Sequence, residues 1–128
     1  METTTGPVWL TVGDAARATG VSVDTLRYYE RVGLLSATRT ASGHRRYSPA
    51  NLAWIGVLTC LRETGMPIRR MCEYAALVRE DAEETVPARL ALLQEHRLDV
   101  QRRIRDLQAN LTHVDAKIEH YRCRVSAD

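Results

Sequence analysis

The apolar positions of this chain change period twice, and the changes divide it into elements. Near the start, Val12, Ala15, Ala16 and Ala18 form a small apolar face. Thr11 and Asp14 precede and open that face in a T-x-x-D capping pattern, and the carboxylate also suits the positive end of a helix. Gly20 ends the segment, because a left-handed C-cap costs glycine least. Ser22 is the next N-cap, and a second helix runs from Val23 to Arg31 until Gly33 stops it. Leu26 with Tyr29 or Glu30 lies at helical spacing, so one face packs inward while Thr25, Arg27 and Tyr28 can partly face out. Two short helices joined by a Gly-containing turn are a helix-turn-helix, expected over residues 12–31.

The helical period is lost between Leu34 and Tyr47. Ala37-Thr38-Arg39 and Arg45-Arg46-Tyr47 flank the small polar run Thr40-Ala41-Ser42-Gly43-His44. This is a hairpin pattern, and it predicts a wing over residues 37–47. Ser48-Pro49 then opens a third helix, with serine as N-cap and proline in the first turn. It reaches about Thr64 and ends at Gly65, with a buried stripe drawn from Leu52, Ile55, Leu58 and Leu61, or from Leu52, Ile55 and Thr59. Pro67 starts a fourth helix to about Arg79. The acidic run Glu80-Asp81-Ala82-Glu83-Glu84 reads as a connector, taken as residues 80–85.

The last segment has the most sustained period. Leu90, Leu93, Arg97, Val100, Ile104, Leu107, Leu111, Val114, Ile118, Tyr121 and Val125 alternate spacings of three and four, and Arg97 is the single interruption. That is an a/d heptad seam. About 40 residues in one helix make a rod of roughly 60 Å. A head this small cannot cover such a stripe, so a second copy of the chain is the simplest partner. The expected fold class is therefore mainly α. A winged helix-turn-helix head (residues 9–79, four helices and a β-hairpin wing) is followed by one long C-terminal coiled-coil dimerisation helix (residues 86–125). Residues 1–8 and 126–128 are expected to be tails, the first of them disordered.

Charge sharpens the picture. The net charge is only +2, but the window from Leu26 to Arg70 holds eight Arg against Glu30 and Glu63, a local +6. A basic field inside a near-neutral chain suits a polyanion. Of the 18 basic residues 17 are arginine, whose planar fork matches phosphate and guanine geometry. There is no Phe, so the core must be largely aliphatic. No apolar run is long enough for a membrane span, and the N-terminus lacks the charged and apolar regions of a secretory signal. A cytoplasmic, nucleoid-associated protein without membrane contact is expected. Cys60, Cys72 and Cys123 form no CxxC pair, which supports neither a disulfide framework nor a zinc site of ordinary spacing. His113, His120 and Cys123 share a helix face, but such sets on one exposed helix are usually adventitious. No nucleophile–base set, paired carboxylates or phosphate loop points to an enzyme, and no cofactor is expected.

Three blocks carry a resemblance. They are Val12-Gly13-Asp14-Ala15-Ala16, then Thr25-Leu26-Arg27-Tyr28-Tyr29-Glu30 within residues 21–35, then Gly43-His44-Arg45-Arg46-Tyr47. Together they resemble the MerR family of transcription regulators. The resemblance implies that the helix from Val23 enters the major groove, with Thr25, Arg27, Tyr28 and Tyr29 facing DNA. It implies that Arg39, His44 and Arg45 of the wing touch the backbone, and that Arg62 contacts a phosphate. Tyr47 reads rather as a core residue with a wet tip. Leu90, Leu93, Val100, Ile104, Leu107, Leu111, Val114 and Ile118 would form the seam of an antiparallel coiled-coil homodimer. That dimer would hold a palindromic operator in double-stranded promoter DNA and distort it so that RNA polymerase can use the promoter.

Members that sense metals carry cysteines near the start of the long helix and beyond its end, and multidrug sensors append a large ligand domain. Neither pattern is expected here. The segment 52–62 instead resembles the thiol-based AdhR/NmlR-type subgroup, which responds to aldehydes and to related electrophilic, nitrosative or oxidative stress. Its sensing cysteine falls at Cys60, and Arg62, Arg69 or Arg70 could favour the thiolate. A small buried hydrophobe is the plainer reading of Cys60, and Cys72 reads as core or as a resolving thiol. A metal-responsive regulator and a coiled-coil adaptor that never meets DNA remain the alternatives.

Overall fold

The structure, a computed structural model, describes residues 9–127. The expected tail over residues 1–8 and the final residue of the expected tail at 126–128 lie outside them. The elements follow in the order α1 (Val12–Thr19), α2 (Val23–Arg31), β1 (Thr38–Arg39), β2 (Arg45–Arg46), α3 (Pro49–Glu63), α4 (Ile68–Glu80), a 3-10 turn (Glu83–Thr85) and α5 (Val86–Ser126). The chain is mainly helical with one two-stranded hairpin, the fold class that the hydrophobic period and the turn residues predict. It divides into two compact units after Val86.

The helix ends are set by local chemistry. The Thr11 hydroxyl accepts from the Asp14 N–H at 3.2 Å, and Ser22 accepts from the Thr25 N–H at 3.1 Å. Ser48 closes a full capping box with Asn51, its own N–H donating to Asn51 Oδ1 at 2.9 Å. Each bond satisfies an amide that the first turn leaves without a partner. At the far end of α2, Gly33 has φ 87°. Its N–H donates to Glu30 O at 3.2 Å and that of Leu34 donates to Tyr29 O at 2.8 Å. This paired bonding needs a left-handed residue at position 33, which glycine supplies at low cost.

The first unit has one aliphatic core. Ala15 of α1, Leu26 and Tyr29 of α2, Leu34 and Leu35 beyond it, Ile55, Leu58 and Leu61 of α3 and Met71 and Ala75 of α4 are all buried. On α3 the buried stripe is Ile55, Leu58 and Leu61, with Leu52 half-buried.

Four side chains from α3 and α4 reach the segment that leaves α2. Cys72 Sγ donates to Val32 O at 3.7 Å, Arg79 Nη1 to Gly33 O at 2.6 Å, Trp54 Nε1 to Leu34 O at 2.7 Å and Asn51 Nδ2 to Ser36 O at 3.2 Å. A non-helical stretch beside a core must find acceptor and donor partners somewhere. Here the later helices supply them, and they fix where α2 ends and where the wing begins.

Candidate nucleic-acid interface

The wing is short. Thr38 pairs with Arg46 and Arg39 with Arg45, antiparallel, and an isolated antiparallel bridge joins Tyr47, just past β2, to Leu10 ahead of α1. Its turn is closed by Thr40 N–H to His44 O at 2.8 Å and Gly43 N–H to Thr40 O at 2.9 Å. Gly43 takes φ 87°, where a side chain would be strained. Arg39 Nη1 donates to Gly43 O at 3.1 Å across the same turn. Two-residue strands are too short to hold a direction by themselves, so the wing depends on contacts with the head.

Glu30 provides such a contact. It sits in the last turn of α2, and its side chain is only 13% exposed. One carboxylate oxygen accepts from Arg45 Nε at 2.7 Å; the other accepts from the Tyr47 hydroxyl. The hydrogen bond from Arg45 to Glu30, then the attraction between their charges, raises the Arg45 pKa above its ordinary value. Burial of Tyr47, then its hydrogen bond to Glu30, pushes the phenol pKa well above its ordinary value. Tyr47 is fully buried, the core position that the sequence suggests, but its hydroxyl is spent on Glu30.

On α2, Arg27 is exposed, while Thr25 and Tyr28 are half-buried. The guanidinium carbon of Arg31 lies 5.4 Å from the centre of the Tyr28 ring, an arrangement that attracts a cation to an aromatic face. Tyr29 is only 1% exposed, so its ring belongs to the core, and what remains accessible lines a depression that Thr25 and Arg62 share. Successive residues of a helix point about 100° apart, so the adjacent tyrosines cannot share one face. Leu26 is one turn before Tyr29 and draws it inward.

A depression of about 320 Å³ opens where α2 begins beside the end of α3. It is lined by Ser22, Thr25, Tyr29, Thr59, Arg62 and Glu63, among others. It brings together Thr25 and Arg62, which are far apart in sequence, beneath the N-terminus of α2. An exposed guanidinium, small hydroxyls and the positive end of a helix dipole favour an anion here, against the opposing charge of the Glu63 carboxylate in the same lining. Arg39 and His44 are exposed on the wing, and Arg45 is half-exposed.

The glutamate was the residue that sequence reasoning missed. The available signal was charge: Glu30 is one of two acids among eight arginines between Leu26 and Arg70. An acid in so basic a window points to a structural role, and its bonds to Arg45 and Tyr47 supply one.

The family profile described as "MerR HTH family regulatory protein" matches residues 10–76. A second profile, "MerR, DNA binding", matches residues 52–117. The chain belongs to the MerR family of DNA-binding transcription regulators. AdhR of Bacillus subtilis, an HTH-type transcriptional regulator, is 37% identical over 69% of the chain; the match spans 63% of AdhR. A MerR family transcriptional regulator of Listeria monocytogenes has a solved structure that is 39% identical, with a TM-score of 0.83 over 88% of the chain and 85% of its own. The structure of HiNmlR, a MerR family regulator lacking the sensor domain and bound to promoter DNA, is 30% identical. It aligns with a TM-score of 0.82 over 90% of this chain and 91% of its own. Membership in this family leaves no place for the adaptor reading.

Cys60 lies on α3 and is exposed. It lines a shallow depression of about 380 Å³ with Thr19, Leu52, Gly56, Thr59 and Glu63. The small buried hydrophobe is therefore not what the structure contains. The charged side chain at that depression is Glu63, and Arg62, Arg69 and Arg70 do not line it. Cys72 is half-buried and Cys123 is exposed, its thiol 3.8 Å from Glu119 Oε2. Among the described residues, no three His, Cys, Asp or Glu side chains converge as a metal site, and no helix is long and apolar enough to cross a membrane.

Proposed function

We propose that the protein works as a homodimer on twofold-symmetric promoter DNA, joined through α5 as an antiparallel coiled coil, and that it changes transcription by distorting the operator for RNA polymerase. The observation that carries this reading is the bare apolar seam of α5. Ile104, Leu107, Leu111, Val114, Ile118, Tyr121 and Val125 are between 44% and 77% exposed in the single chain. Leu90 is 54% exposed, and Leu93 and Val100 are half-buried. A row of this length at heptad spacing is covered in water by another helix. The basic head then occurs twice at a fixed separation, which a palindrome matches.

Within each head, Arg27 of α2 would read the major groove, with Thr25 and Tyr28 beside it. Arg39, His44 and Arg45 of the wing, and Arg62 at the depression, would hold phosphates. Such contacts set register and give most of the affinity, while operator bending supplies control. The stimulus we propose is an aldehyde or related electrophile acting at Cys60. In support, the thiol is exposed, and the match to AdhR covers the segment that contains it. The Cys60 sulfur would bond to the aldehyde carbon as the C=O π bond opens and the thiol proton passes to the oxygen. The hydroxyalkyl group so formed beside Thr19 and Leu52 would wedge α3 from α1 and shift the head.

A gel shift with a palindromic promoter fragment tests the first part. The wild-type protein binds as a dimer, and Arg27→Ala and Arg45→Ala weaken it; equal binding by all three proteins would end the DNA assignments. The second part is tested with a promoter reporter and added formaldehyde. Cys60→Ser should abolish the response, and a Cys60→Ser protein that switches normally would remove the sensor role.

A further inference from the structure

We propose that Glu30 is a positioning residue for DNA binding: it fixes the wing on α2 and aims the Arg45 guanidinium, so that a carboxylate inside the DNA-facing surface raises selectivity for the correct site. The proposal rests on the reading above that Arg45 meets the DNA backbone.

The argument begins from the geometry of the fork. A guanidinium has five N–H donors, one on Nε and four on the two Nη atoms. Glu30 takes the Nε donor at 2.7 Å. The end-on face of the fork, carrying both Nη atoms, is left for a phosphate. A side chain with several rotatable bonds is thereby held at its neck while its head stays available. Arg45 keeps 33% of its side-chain surface exposed in this arrangement.

The same carboxylate accepts from the Tyr47 hydroxyl. Tyr47 is in turn joined to Leu10 by two backbone bonds, 2.8 and 2.9 Å long. Glu30 therefore ties the last turn of the recognition helix to the returning strand of the wing, 15 and 17 residues further on. The two-residue strands cannot set this angle themselves.

Electrostatics alone would remove this acid. It stands in a window of +6, and a negative charge near phosphates weakens binding to any duplex. What it provides is register. Non-specific binding tolerates a loosely held arginine, because some phosphate is always in reach. A specific complex needs the fork at one place relative to α2. The charge acts alike on both kinds of DNA, while register matters only at the specific site, and this separates positioning from mere charge.

The test uses the full-length dimer and two duplexes of equal length. One is a twofold-symmetric sequence selected by the wild-type protein from a random library; the other is its scrambled counterpart. Affinities for both are measured by fluorescence anisotropy across a KCl series, for wild type, Glu30→Gln, Arg45→Ala, Arg45→Lys and Glu30→Gln/Arg45→Ala. Glu30→Gln should weaken binding to the selected duplex roughly five- to tenfold and leave binding to the scrambled duplex unchanged or tighter, so the selectivity ratio falls. Glu30→Gln keeps an acceptor oxygen for the Tyr47 hydroxyl and loses the charge that holds Arg45, so the double variant should bind the selected duplex no more weakly than Arg45→Ala. Arg45→Lys keeps the charge but cannot serve Glu30 and a phosphate with separate edges of one fork, and it should resemble Arg45→Ala. It supplies the reading if Glu30→Gln does not fold.

If Arg45→Ala weakens binding while Glu30→Gln binds the selected duplex as tightly as wild type or tighter, the positioning role is overturned and the wing contact stands. Multiplying losses in the double variant, or an Arg45→Lys protein equal to wild type, would also overturn it. If Arg45→Ala itself loses nothing, the wing contact is wrong and the proposal falls with it.

Discussion

Replacing Trp54 with phenylalanine should destabilise the head by about 2 kcal/mol, a figure built from one hydrogen bond and its surroundings. Trp54 Nε1 donates to Leu34 O at 2.7 Å, and Leu34 is 1% exposed. Phenylalanine has no donor, so this carbonyl loses its partner next to a core residue. Leaving a buried acceptor unsatisfied costs about 1–3 kcal/mol. The ring of Trp54 also stacks on Tyr74, centroids 5.9 Å apart and planes 20° apart. Phenylalanine keeps part of that stack but leaves the volume of the missing ring unfilled, which adds to the loss. A head of this size shifts its melting temperature by roughly 4–8 °C per kcal/mol. The expected fall is then roughly 8–16 °C, read by far-UV circular dichroism at fixed protomer concentration, because association also raises stability. DNA affinity should fall too, even at temperatures where the variant is folded, since Leu34 lies between α2 and the wing. A drop of less than about 3 °C, given the same scaling, would show that the carbonyl finds another partner and that Trp54 does not anchor the exit of α2.

Three further outcomes follow from other parts of the molecule. Arg62→Ala should reduce the slope of log affinity against log salt by about one unit and weaken all duplexes alike, as expected for a phosphate contact; an unchanged slope would remove Arg62 from the interface. Leu107→Asp places a charge on a seam position that is 67% exposed in the single chain, and sedimentation equilibrium should show monomers where wild type is a dimer; a persistent dimer would mean that α5 pairs through another face. The raised Tyr47 pKa has a definite sign: the folded state holds the phenol proton more tightly, so its contribution is intact below the ordinary tyrosine pKa of about 10 and is lost as pH rises above it. Urea titrations should show Tyr47→Phe less steeply destabilised above about pH 10 than wild type, by at most about 1.4 kcal/mol per pH unit, and identical slopes would contradict the buried, Glu30-bound phenol.

The sequence by itself determined the elements and their ends. Thr11, Ser22 and Ser48 cap helices through bonds that span three residues. Gly33 closes α2 within its own neighbourhood, and the a/d spacing of α5 repeats every seven residues. Such signals act within about one turn of helix, so they can be read without knowing the fold. The basic window and the exposed Arg27 were legible for the same reason.

Tertiary structure decided which of Tyr28 and Tyr29 turns inward, since both fit a helix and only the position of the aliphatic core distinguishes them. It brought Thr25 and Arg62 to one depression. It also made Glu30 a partner of Arg45 and Tyr47, and it linked Trp54 to Leu34, Cys72 to Val32 and Arg79 to Gly33 across 20, 40 and 46 residues. No local period encodes such bonds. They exist because α3 and α4 fold back over the end of α2, and the carbonyls left behind by an ended helix take the nearest donors that packing supplies.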